Sequence, residues 1–99
     1  MLVTTTTSLE GKRVTKYLGV VTGETVINCV GSSLSGLERE LREAREMALR
    51  QMQEEAQKLG ANAVLAVDID YEAVNDGTML IVTASGTATI VRDVRRPHI

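Results

Sequence analysis

Through the middle of the chain, apolar residues return every three or four positions: Leu37, Leu41, Ala44, Ala48, Met52, Ala56 and Leu59. This spacing draws one stripe down a helix and predicts a long amphipathic element whose stripe must be covered. Off the stripe, Glu38/Arg42, Arg39/Glu43, Arg42/Glu46, Glu46/Arg50, Arg50/Glu54 and Glu54/Lys58 stand four apart with opposite charges. Each such pair is worth only about 0.2–0.5 kcal/mol, but all favour helix and mark a solvated outer face. Ser35 followed by Glu38 fits a capping box, in which a serine oxygen and a glutamate carboxylate satisfy first-turn N–H groups. Gly60 after Leu59 suits the left-handed conformation that closes a helix, so the element is predicted over 35–59.

On either side of the helix the period changes from 3.6 to two. Upstream, residues 14–23 read as the first main strand, with Val14, Leu18 and Val20 beside Lys16 on one face and Thr15, Tyr17 and Val21 on the other. Gly19 within it signals a bulge or a close backbone approach. The apolar run 25–30 is a strand extension or an interface segment, ended by Gly31-Ser32-Ser33. Downstream, Ala63, Leu65, Val67, Ile69 and Tyr71 share one face, expected to meet the helix, and Val64, Ala66, Asp68, Asp70 and Glu72 share the other. Asp76-Gly77 is a strong hairpin signal and joins this strand to an antiparallel one over 78–91, in which Gly86 marks a bend or bulge. Residues 2–6 read as a short edge strand that a neighbouring subunit could complete. The order strand, helix, strand, strand gives an α+β fold: one curved, mostly antiparallel sheet with the long helix packed on a single face.

The 99 residues make a single domain, 1–99, of which 92–99, with the only proline and the only histidine, reads as a flexible tail. The aromatics are two tyrosines, so the core is built from aliphatic side chains, which bury less area than rings. A monomer of this size and composition is thinly stabilised, which predicts a homo-oligomer. Net charge is −2 with acids and bases interleaved, which argues against nucleic acid as a partner. No run approaches the roughly 20 apolar residues of a membrane span, and the first residues lack the pattern of a signal peptide. With Cys29 as the one cysteine, unable to form an internal disulfide, the expected address is cytoplasmic.

The motifs Tyr17-Leu18-Gly19-Val20-Val21-Thr22-Gly23-Glu24, Lys58-Leu59-Gly60-Ala61-Asn62-Ala63-Val64 and Asp68-Ile69-Asp70-Tyr71-Glu72, with Ser85-Gly86-Thr87-Ala88, resemble the YbjQ family of small bacterial and archaeal proteins. The resemblance covers about residues 4–91. It implies a dodecin-like subunit that assembles into a ring, typically a pentamer, and a heavy-metal-binding label with no settled activity. The segment 26–36 is shorter than the phenylalanine- and glycine-bearing segment usual there.

Three sets of residues are candidates for chemistry. Asp68, Asp70 and Glu72 alternate along a strand about 7 Å apart, a spacing at which oxygen ligands could share a hard cation; the simpler reading pairs them with Arg or Lys, such as Arg13, across an interface. Cys29 is a possible soft-metal ligand only if a ring brings symmetry copies together, and otherwise a buried small hydrophobe. Gly23 and Glu24 could form part of a small-molecule site with Glu24 as a general base, or simply a strand-end turn. Met47, Met52 and Met79 read as core filler. No nucleophilic triad or phosphate-binding glycine loop is present, so neither an enzyme nor a cofactor is expected. The expected function is a ring-forming structural or ligand-binding module. A metal or small-ligand protein with its site at subunit interfaces is the alternative, and an enzyme of unknown reaction the third reading.

Overall fold

The structure is a computed structural model describing residues 1–31 and 33–94. The chain forms β1 (Leu2–Val3), β2 (Lys12–Asn28), α1 (Leu34–Lys58), β3 (Ala63–Val74) and β4 (Met79–Asp93). The four strands make one mixed sheet in the order β1-β3-β4-β2, in which β1 runs parallel to β3 and the other pairs are antiparallel. This is the α+β arrangement expected from the sequence, with the helix on one face. Strand β1 is shorter than expected and pairs with β3 of its own chain, extended by Thr4 N–H donating to Val64 O and Ala66 N–H to Thr6 O.

The helix starts one turn-fraction earlier than its capping signal suggests. Ser33, not Ser35, is the N-cap: its hydroxyl accepts from the Gly36 N–H at 3.1 Å, and the first turn holds no acid. Two serines compete for the role, and Ser33 wins because the chain is still extended there. The end is as expected, with Gly60 at φ +83°. Ala44, Ala48, Met52 and Ala56 are the buried stripe, while Leu59 is half exposed. Of the charge pairs four apart, none closes to contact among the described residues; Lys58 instead meets Glu55 at 3.3 Å. Long exposed side chains gain too little from pairing to be held in one geometry.

Both long outer strands depart from simple alternation. In β2, register shifts between Val14 and Lys16 and between Tyr17 and Gly19 each insert one residue, so side chains change faces twice. The two shifts cancel, so beyond Gly19 alternation resumes in the phase of Val14: Val21 lies beneath the helix at 3% exposure, whereas Val20 is 77% exposed on the far face. The expected first strand and the 25–30 run form one continuous element. In β3, Ala66 at φ +54° makes a bulge between Leu65 and Asp68. Val64 and Val67 then both face the helix, and Ala63 and Leu65 face away with Val91, Val14 and Leu9 in a small second cluster. Expecting Ala63 and Leu65 beneath the helix assumed an unbroken period of two. Opposite the bulge, a β-carbon at Gly86 would come within 2.6 Å of Val64 Cγ1 and 3.2 Å of Val67 Cγ2, so only glycine fits there.

The β3–β4 hairpin turns through Asn75, Asp76 and Gly77, all at positive φ, as the Asp-Gly signal indicates. Strand β4 reaches Asp93, so Arg92 and Asp93, read from the sequence as tail, are paired with Arg13 and Lys12; residues 95–99, His98 included, lie outside the described residues. The chain is elongated, 65 × 23 × 17 Å. No helix is long and apolar enough to cross a membrane among the described residues.

Candidate functional site

Gly23 sits in mid-strand on the helix side of β2. A β-carbon there would collide with the Ala48 carbonyl oxygen and come within 2.8 Å of the Met52 nitrogen. The space beside Gly23 that the sequence offered to a ligand is filled by helix backbone, and the strand-end turn offered as its alternative is absent too. The glycine and the alanine stripe together let α1 lie close on the sheet. Glu24, the next residue, points to the opposite face and is exposed. Its N–H, directed out of the sheet edge, donates to Gln51 Oε1 at 3.1 Å.

Asp68, Asp70 and Glu72 stand on that same helix-free face, each exposed, because the bulge at Ala66 turns Val67, Ile69 and Tyr71 toward α1. Tyr71 accepts a hydrogen bond from Arg45 Nη1 through its hydroxyl, at 3.3 Å. Asp68 holds the Asp70 carboxyl above its ordinary value of 3.8, first through the hydrogen bond the two side chains can share, then by like charge, with desolvation adding to both. The register brings two candidate sets together. Glu24 and Asp70 are both opposite Thr83, one from each side of β4, and Thr22 and Asp68 are both opposite Ser85. Two strand spacings separate Glu24 from Asp70, about 9.5 Å. Sequence reasoning treated them as unrelated because their shared row depends on the bulges. At such spacing, no three His, Cys, Asp or Glu side chains stand close enough to hold a metal ion among the described residues. Within the chain the acids make no ion pair among the described residues, and Arg13 lies toward the far end of β2; the pairing expected from the sequence is one across an interface between chains.

Cys29 follows β2, half-buried against the main core, its N–H donating to Thr78 O at 2.8 Å. Met52 is fully buried, as core filler should be, but Met47 is 49% exposed.

Met47 belongs to a feature the sequence did not reveal. Between the first half of α1 and the end of β2 runs a groove of about 310 Å³ lined by Thr25, Val26, Ile27, Asn28, Glu40, Glu43, Ala44 and Met47. The Thr25 hydroxyl oxygen in its wall is buried and has no hydrogen-bond partner among the described residues. The charge spacing places Glu43, four from Arg39, on a solvated outer face. Only the pairing of α1 with the edge of β2 turns that face into a wall.

The family model described as "Putative heavy-metal-binding" matches residues 1–92. The chain belongs to the YbjQ family. A YbjQ-family relative, a UPF0145 protein of Acetivibrio thermocellus, is 46% identical over 105 aligned residues, covering 92% of this chain and 99% of the relative. The crystal structure of a DUF74-family protein of unknown function from Pediococcus pentosaceus superposes with a TM-score of 0.71 at 16% identity, over 93% of this chain and 98% of that one. At that identity the likeness speaks for the fold.

Proposed function

We propose that this YbjQ-family protein is a cytoplasmic homo-oligomeric module, structural or ligand-binding, that closes into a ring of identical chains, five by the family resemblance, with no catalysis of its own. The observation that carries the reading is β2: seventeen residues of edge strand that, among the described residues, have no strand on the outer side, with Val20 and Val26 at 77% and 53% exposure on a face that no described element covers. A long exposed edge with apolar flanks is a template for another chain, and proteins that keep one pair it or cover it. The edge offered by β2 differs from the short free edge of β3 beyond Val67, so contact between them is heterologous, and a heterologous contact that closes gives a ring. Self-association, without nucleic acid or membrane, is the partner this reading calls for. Native mass spectrometry tests it: a discrete assembly supports the reading, and a folded single chain at micromolar concentration refutes it.

A second reading is favoured by the carboxylate rows. Glu24, Asp68, Asp70 and Glu72 share one open face, and in a ring such faces from several chains could complete a site that one chain does not form. Oxygen donors suit Ca²⁺ or Mg²⁺, whereas a heavy metal prefers the thiolate that only Cys29 offers. Calorimetry with Ca²⁺, Mg²⁺ and Zn²⁺ on chelator-treated protein separates them; no binding at low-micromolar metal removes the reading. The third reading, an enzyme using Glu24 as a base, would require turnover that Glu24→Gln abolishes.

A further inference from the structure

The groove beside β2 has three properties that together select an occupant. First, it is bounded by an unpaired strand edge. Because the Glu24 N–H points outward to Gln51, alternation directs the N–H and C=O of Val26 and Asn28 outward as well, where no strand among the described residues pairs with them. Second, its walls are acidic: Glu40 and Glu43 rise on the helix side and make no ion pair among the described residues, while Glu24 lies on the opposite face of the same edge. Third, its floor is apolar, formed by Ile27, Ala44 and the half-exposed Met47. An extended segment carrying adjacent cations would pair with the edge and place one cation toward each acidic face, since neighbouring side chains of a strand point opposite ways.

Adjacent cations occur in the sequence just past the described strands, where Arg95-Arg96-Pro97-His98-Ile99 follows Val94. Pro97, lacking an N–H, would end the pairing there. This segment cannot reach the groove of its own chain. Asp93 is opposite Lys12, and from Lys12 to Thr25 the strand advances roughly 40 Å, whereas residues 94–99 reach at most about 20 Å from Asp93 at full extension.

We propose that the groove between α1 and the β2 edge at residues 25–28 receives the arginine-bearing C-terminal segment, residues 95–99, of a second copy of the chain. This inference rests on the homo-oligomer reading and names the contact that would hold the ring. Each copy gives its tail to one neighbour and takes the tail of another, with the buried Thr25 hydroxyl available as an acceptor for an arginine N–H.

The test uses a chain truncated after Val94 and a labelled synthetic peptide of residues 93–99. The truncated chain should fall to a smaller assembly by native mass spectrometry while keeping its circular dichroism. It should bind the peptide in fluorescence anisotropy, with affinity falling at least tenfold in Glu40→Lys/Glu43→Lys and at raised salt. Full-length Arg95→Glu/Arg96→Glu should lose assembly, and combining it with Glu40→Lys/Glu43→Lys should restore it. Unchanged assembly on truncation, peptide binding unaffected by the lysine substitutions, or equal binding of a scrambled basic peptide each overturns the proposal. A full-length chain that is monomeric refutes the oligomer reading itself, whereas an intact assembly of the truncated chain refutes only the tail contact.

Discussion

Ala48 lies directly over Gly23, its carbonyl oxygen occupying the place a β-carbon at position 23 would need. The obstacle is backbone on both sides, so no rotamer change relieves it. Gly23→Ala is expected to lower stability by about 1–3 kcal/mol, the range for overpacking a well-filled core, and Gly23→Val by more. Urea denaturation followed by circular dichroism measures it. A shift below 0.5 kcal/mol for Gly23→Ala would mean that the helix does not lie this close.

Ser33 and Ser35 provide a direct comparison at the start of α1. Ser33→Ala removes the hydroxyl that accepts from the Gly36 N–H and should cost about 0.5–2 kcal/mol. Ser35→Ala lies inside the first turn, where alanine is the better helix former, and should be neutral or slightly stabilising. Thermal melts of the two variants read the cap; equal losses would restore Ser35 to the role its spacing from Glu38 suggests.

Ala66 holds a left-handed conformation that costs a non-glycine residue roughly 1–2 kcal/mol. Ala66→Gly should therefore be neutral or stabilising by up to about 1 kcal/mol, even though glycine is more costly to order. Ala66→Val should destabilise by more than 1 kcal/mol, since a β-branched side chain is strained there. The same denaturation assay distinguishes them, and a tolerated valine would argue against the bulge.

The acidic face has a definite pH signature. The Asp70 carboxyl titrates above its ordinary 3.8 because its protonated form can share a hydrogen bond with Asp68 and because its ionised form is repelled by that neighbour. Its repulsion is thus fully present above the folded value and is relieved as pH falls through that value toward 3.8, so this group alone makes the protein more stable on mild acidification. Asp93 has the opposite sign. Lys12 Nζ, 2.6 Å away, holds it below 3.8, so its contribution is present above the ordinary value and is lost as pH falls through the lowered one. Carboxyl NMR titration should show Asp70 high and Asp93 low. Asp70→Asn should remove the stabilisation between the raised value and 3.8, leaving the loss below 3.8 that Lys12→Met removes.

The helix and the Asp-Gly hairpin were legible because their signals are local: a stripe from Leu37 to Ala56, a glycine after Leu59, and three consecutive turn residues. The faces of β2 and β3 were not. A reader of alternation assigns Val20 to the side of Leu18 and Ala63 to the side of Val67, and both assignments fail because an inserted residue falls between the two members of each pair. Gly86 signalled irregularity in β4, yet the inserted residue is Ala66 on the neighbouring strand. The candidate acids were found singly, but their common face with Glu24 requires the register across Thr83. The groove was invisible for the same reason, since Glu40 and Glu43 look like any solvated pair until the edge of β2 is laid beside them.

Strand β2 runs most of the molecule's 65 Å length, bulged twice in its first half, carrying Lys12 near one pole and Asn28 toward the other. The chain is therefore spanned from pole to pole by one continuous strand. A force or a binding event at one pole is passed on by flexing a single pleated ribbon, so any assembly built from these chains inherits their stiffness and has its diameter set by their curvature.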